Sequence, residues 1–289
     1  MPLTTAHDRP GSRSDPLQAR AEEMAPKKAS RQILLHEIEE GIDALERPVV
    51  GLFISGLSAG LDVGFSLFLM AVALTRVEGE LPRPVVSLLV ANMYAVGFVF
   101  VILGRSELFT EQTTLAVLPV LGGRASVGSL LRLWVVVFAA NTLGATAFAG
   151  LVSQIGPALG VIDPRVFGNI AHGLTDHSGR VMFLSGMLAG WLMGLLSWLI
   201  AAARDTISQI VLVWLVTGVI GFANLHHAIV GTVEVMAGAF SGQGIGPGDI
   251  GRFLLWVTLG NIVGGVVFVA FLKYSLARPE AQAALEVDH

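Results

Sequence analysis

The sequence predicts an all-α membrane protein of six transmembrane spans, a 3+3 inverted repeat with the second and fifth helices broken. Three observations predict it. The 289 residues are 53% hydrophobic and only 14% charged, with a mean hydropathy of +0.71, whereas a soluble domain carries about 25% charged residues. Apolar runs of about 20 residues, enough to cross about 30 Å of hydrocarbon, recur along the chain. Polar clusters interrupt two of those runs, and the features of the first half return in order in the second. The net charge of -4 gives no nucleic-acid signal, and the absence of cysteine excludes disulfides and thiolate chemistry.

Residues 1–29 are rich in Pro, Ser, Arg and Ala without periodicity and read as a disordered tail. They hold no signal-type apolar core, so insertion is expected to begin with the first span. Over 30–47, Leu34, Ile38, Ile42 and Leu45 recur at helical spacing, with Glu37, Glu39, Glu40 and Asp43 between them. This is an amphipathic helix ended by Pro48, packed on the cytoplasmic face of the bundle. A transmembrane channel domain is expected over 48–276, and a polar C-terminal tail over 277–289.

The first span, about 49–75, carries Gly56, Gly60 and Gly64 at four-residue steps, a spacing that lets helix backbones approach closely. Asp62 within it is a packing or capping carboxylate, or a residue near a solute path. The apolar run 85–121 is broken by Gly104-Arg105-Ser106-Glu107-Leu108-Phe109-Thr110-Glu111. One broken helix with a buried middle accounts for it; a full span followed by a cytoplasmic loop is the alternative. The third span, about 128–153, contains Asn141-Thr142-Leu143-Gly144. A polar loop is expected over 156–180, with His172 and His177 solvated. The fourth span, about 181–203, repeats the glycine ladder at Gly186, Gly190 and Gly194. The fifth segment, about 207–240, is interrupted at Gly221–Glu234, and a Gly-rich loop leads to the sixth span, about 250–273.

The halves match: glycine ladder, interrupted span, then Asn-x-x-Gly at Asn141 and at Asn261. Three spans per half is odd, so the second half enters the membrane in the opposite sense, and the site is expected where the discontinuous helices meet near the midplane. With the N-terminus inside, Lys27, Lys28, Arg31, Arg47, Arg124, Arg132, Arg204, Lys273 and Arg278 lie inside, against Arg76, Arg83, Arg165, Arg180 and Arg252 outside. That bias places both termini in the cytoplasm.

The stretch Gly221-Phe222-Ala223-Asn224-Leu225-His226-His227-Ala228-Ile229-Val230-Gly231-Thr232-Val233-Glu234 puts two histidines, an asparagine and a glutamate at membrane depth. Ionisable groups there are costly and mark a path through the bundle. Together with Ser106-Glu107-Leu108-Phe109-Thr110 and Gly260-Asn261-Ile262-Val263-Gly264-Gly265, it makes the chain over roughly 30–276 resemble the formate/nitrite transporter family. The resemblance implies an aquaporin-like fold in the plasma or inner membrane. It also implies a homopentamer with one pore per protomer, and passage of small monovalent weak-acid anions. By position, His227 matches the family's central pore histidine, Thr110 its hydroxyl neighbour, and Leu108 part of the inner constriction. Tyr94, Phe98 and Ile220 fall where the family places apolar gates.

The chain also departs from the family. It has His226-His227-Ala228 and then Val230-Gly231 where Glu-His-Ser and then Ala-Asn are usual, Arg105 where a small residue is common, and an added carboxylate at Glu234.

A charged solute crosses apolar gates at high cost, and a proton taken up in transit removes it. His227, alone or through water, is the expected donor, with channel-like passage and proton symport both open; the plainer alternative is a histidine that only shapes the pore. His226 reads as structural, and Asn141 and Asn261 as helix-packing hydrogen-bonders. Glu107 and Asn224 flank the two breaks. Glu234 is either a pore-side acid or the partner of Arg105, and a free Arg105 would draw anions into the vestibule. Neither a metal nor another cofactor is expected. A metalloenzyme would need several ligands on facing spans, and only His226, His227, Glu234 and Glu107 stand near membrane depth. A neutral small-solute channel is the remaining alternative.

Overall fold

The computed structural model describes residues 28–77 and 79–277. The tails expected at 1–29 and 277–289 lie outside these residues, apart from Lys28, Ala29 and Ala277, as do Lys27 and Arg278 of the charge count. All regular structure in the described residues is helical.

Eleven helices follow one another there. They are α1 (Ser30–Glu46), α2 (Val49–Val77), α3 (Arg83–Leu103), α4 (Phe109–Leu115), α5 (Val117–Leu121) and α6 (Val127–Ala158). The second half holds α7 (Pro164–Thr175), α8 (Gly179–Ala202), α9 (Thr206–Phe222), α10 (Ala228–Phe240) and α11 (Pro247–Ala277). Five of them, α2, α3, α6, α8 and α11, are long and apolar enough to cross a membrane, while α9 and α10 are shorter apolar helices. The last span widens into a π-helical stretch at Val266–Phe271.

Local chemistry sets the starts. Ser126, Asp163, Ser178 and Asp205 each accept a backbone N–H in the first turn of α6, α7, α8 and α9, which satisfies donors that a helix start leaves free.

The bundle is built on two pairs, α2 along α6 and α8 along α11. Gly60 lies directly against the carbonyl of Asn141, and Gly190 against that of Asn261. A Cβ at either position would force the backbones apart.

Two expectations are corrected. The segment 156–180 is not a loop: α6 runs on to Ala158, and α7 follows, burying Val166, Phe167, Ala171 and Leu174. Asp163 caps α7 and Pro164 occupies its first turn, so this polar stretch starts a helix. Glu37 is not on the open face of α1. It is 1% exposed, and Ser197 Oγ of α8 lies 3.0 Å from both carboxyl oxygens. Burial pushes the Glu37 carboxyl up to about 8, against the lowering effect of the Ser197 hydrogen bond.

Candidate functional site

The site is made by the two breaks. α3 ends as Gly104 N donates to Phe100 O (2.9 Å), Arg105 turns left-handed (φ 53°) and Ser106 N returns to Val101 O (3.1 Å). α9 ends alike: Ala223 N donates to Val219 O (3.0 Å), Asn224 turns left-handed (φ 49°) and Leu225 N returns to Ile220 O (3.0 Å). A left-handed residue at a helix end turns the chain sharply while filling the last carbonyls. Asn tolerates this conformation well, and Arg bears it at some strain.

Beyond each break the irregular backbone is satisfied by side chains, as a buried non-helical segment requires. Glu107 N donates to Ser55 Oγ (3.0 Å) and Phe109 N to Asn141 Oδ1 (2.8 Å). Asn141 Nδ2 donates to Gly56 O (2.7 Å) and Glu107 O (2.9 Å). In the second half His226 N donates to Ser185 Oγ (3.1 Å) and Ala228 N to Asn261 Oδ1 (2.8 Å). Asn261 Nδ2 donates to Gly186 O (2.7 Å) and His226 O (3.1 Å). By this correspondence Leu108 stands where His227 stands, and Glu107 where His226 stands. The segment after the first break is no cytoplasmic loop: Glu107 to Thr110 and Gln112 to Pro119 are buried.

His227 and Thr110 meet between the two breaks, with Nε2 and Oγ1 2.8 Å apart. His227 is 1% exposed and Thr110 0%. Val230 N donates to His227 Nδ1 (3.3 Å), so the ring caps α10. With Nδ1 accepting, the proton of the neutral ring sits on Nε2 and is donated to Thr110 Oγ1, leaving the threonine hydroxyl hydrogen free to point elsewhere. Phe98 stands edge-on to the imidazole at 5.2 Å, and Tyr94 lies 5.4 Å from Phe98. Phe98, Leu108 and Ile220 are fully buried.

A cavity opens on either side of this constriction. One, of 420 Å³, lies beneath α1 and is lined by Lys28, Arg47, Arg105, Glu107 and Glu111 among others. The other, of 390 Å³, lies at the far end of α3 and is lined by Tyr94, His177, Ile220, Asn224 and Glu234 among others.

Arg105 and Glu234 therefore face opposite cavities, and no ion pair joins them among the described residues. Both flank breaks in the sequence, but each belongs to a different half. Glu107 pairs instead with Arg47 (2.8 Å) and accepts a hydrogen bond from Gln112. Arg47 went unremarked as a site residue, and its place directly before Pro48 and the first span was the available signal. His226 is held by Ser185 Oγ (2.9 Å) and Leu174 O (3.0 Å), and His177 stands 5.5 Å from its ring. His177 is exposed in the turn between α7 and α8, as expected, and also lines the far cavity. No group of three or more His, Asp or Glu among the described residues is arranged to hold a metal.

Apolar spans, buried breaks and a polar pair between two cavities define an integral membrane transport protein. The formate/nitrite transporter family model matches residues 31–275. The chain is 33% identical over 254 residues to the inner membrane protein YfdC of Escherichia coli strain K12, covering 86% of this chain and 80% of that one. It is 29% identical over 237 residues to the nitrite transporter NirC of Salmonella typhimurium strain LT2, covering 81% and 85%. A solved structure described as a pentameric formate channel with formate bound superposes with a TM-score of 0.69, at 24% identity, covering 79% of this chain and 97% of that one. The chain belongs to the formate/nitrite transporter family. It is a member of a transporter family and not an enzyme.

Proposed function

We propose that this chain conducts small monovalent weak-acid anions such as formate and nitrite, with His227 assisting their passage by donating a hydrogen bond to the anion while the proton reaches it through water. The observation that carries this reading is the 2.8 Å contact between His227 Nε2 and Thr110 Oγ1 inside the constriction. An anion between Phe98, Leu108 and Ile220 has lost its water, and the Nε2–H and the Thr110 hydroxyl are the donors within reach. The amino end of α10 adds partial positive charge at the same point. A proton relayed there from hydronium through water, with His227 keeping its own, lets the solute move on as the neutral acid, so transport is coupled to protons.

The repeated hydrogen-bond pattern supports six spans in a 3+3 inverted arrangement with the second and fifth broken. The Lys and Arg bias supports cytoplasmic termini. We take the assembly to be a homopentamer with one pore per protomer in the plasma or inner membrane, after the pentameric channel and the inner membrane relative.

The test is uptake of labelled formate and nitrite into proteoliposomes across an imposed pH gradient, in the natural protein and in His227→Ala. Flux should rise with proton supply and collapse in the variant. Absence of both fluxes overturns the reading, and osmotic swelling without acid flux would then reassign the pore to a neutral small solute.

A further inference from the structure

Glu234 is left unexplained by the fold. It stands seven residues beyond His227 on α10, which is two turns and about 10 Å along the same face. It is 5% exposed and lines the far cavity. Among the described residues it makes no hydrogen bond and no ion pair, whereas a carboxylate buried for structural reasons is ordinarily paired.

The ionisable groups around it do not neutralise it. Tyr94 of α3 and His177, just beyond α7, share its cavity. On α7, His172 is held by Asp176 and Gln243 O, and Arg165 by Asp163. On α11, Arg252 donates to Thr175 O and approaches Asp249. On α6, Arg132 is turned to Leu45 O at the other end of the bundle. On α2, Asp62 accepts from Ser58 and Arg76 is exposed, and Glu111 of α4 lines the opposite cavity.

An ionised Glu234 would repel an anion sharing its cavity, and only the proton-bearing carboxyl lets the two approach. Beyond Glu234 lie Tyr94, Phe98 and Ile220, which favour an uncharged solute. We propose that Glu234 is the proton-transfer group of the far entrance, handing its proton to an incoming weak-acid anion that then crosses the aromatic seal as the neutral acid. The carboxyl O–H breaks as the bond from that proton to the solute oxygen forms. The carboxylate left behind is reprotonated by hydronium from water in the cavity. This rests on the weak-acid reading above and adds the proton donor for the far side. It also sets the substrate class. The conjugate base of a weak acid can take the proton; the anion of a strong acid, such as nitrate, cannot.

The experiment measures initial uptake of labelled formate, nitrite and nitrate in proteoliposomes whose far face is outward, as a function of outer pH. It compares the natural protein with Glu234→Gln and Glu234→Asp. Formate and nitrite flux should fall about tenfold or more in Glu234→Gln, the scale of a lost proton-transfer group. Its pH profile should flatten, Glu234→Asp should retain most of the flux, and nitrate should be excluded throughout. An unchanged rate and pH profile in Glu234→Gln, or nitrate carried as fast as nitrite by the natural protein, overturns the proposal. A natural protein that carries no weak acid overturns the functional reading itself and this proposal with it.

Should the variants fail to assemble, the natural protein is treated with a hydrophobic carbodiimide, which adds to proton-bearing carboxyls, and the modified residue is mapped by mass spectrometry. Modification at Glu234 with loss of flux supports the proposal. Flux that persists with Glu234 fully modified overturns it.

Discussion

Asn141 and Asn261 hold equivalent places in two hydrogen-bonding patterns that share no residue. Each receives one backbone N–H just past a break and donates to two carbonyls, one in the break and one on the glycine-bearing helix opposite. Each asparagine thus joins three segments and fixes where the chain re-enters a helix.

Replacing Asn261 by Ala should therefore destabilise the protein strongly. It orphans Ala228 N and the His226 carbonyl in a dry interior, at about 1–3 kcal/mol for each group left without a partner. Thermal unfolding in detergent should show the loss. Weak-acid flux should fall in parallel, because Ala228 adjoins His227.

The Arg47–Glu107 pair is half exposed on the arginine side and nearly closed on the glutamate side. Arg47→Ala should cost about 1–2 kcal/mol, less than breaking a fully buried pair, because water still reaches the site. The double variant Arg47→Ala with Glu107→Gln should recover most of that loss. A double-mutant cycle on unfolding free energy checks it.

Glu37 makes stability depend on pH. Its carboxyl is raised from 4.5 to about 8 in the folded protein, chiefly by burial. Below 4.5 both folded and unfolded chains hold the proton, so burial imposes no ionic cost. As pH rises toward about 8 the unfolded chain releases its proton first, the folded chain binds more protons, and stability declines by a few kcal/mol. Unfolding midpoints followed across that window should fall in the natural protein and stay flatter in Glu37→Gln.

Thr110→Val keeps the shape of the threonine but removes the partner that His227 Nε2 has among the described residues. Formate flux should drop about tenfold or more in this variant, whereas Thr110→Ser should retain it. The comparison separates the hydroxyl from the volume it fills.

The sequence showed the breaks because polar residues at bilayer depth stand out against apolar runs, as at Arg105–Glu111 and Asn224–Glu234. It showed the helix pairs through glycines at Gly60 and Gly190, whose contacts are backbone on backbone. It did not show α7, twelve residues with a mixed polar face. It could not choose partners for Glu37 or Glu107, because each depends on chain that lies far away along the sequence. Ser197 is distant from Glu37, and Arg47 from Glu107. Of the two readings of Glu234, the pairing with Arg105 is ruled out because the two breaks open toward opposite cavities.

The two asparagine clamps share no residue. Thr110 is carried by one and His227 by the other, and the hydrogen bond between them crosses the seam where the halves dock. On the proposed function, a passing solute replaces that latch with contacts of its own. The bore at rest is therefore set by how the halves dock, and substitutions along the seam can retune which solutes fit while both clamps stay intact.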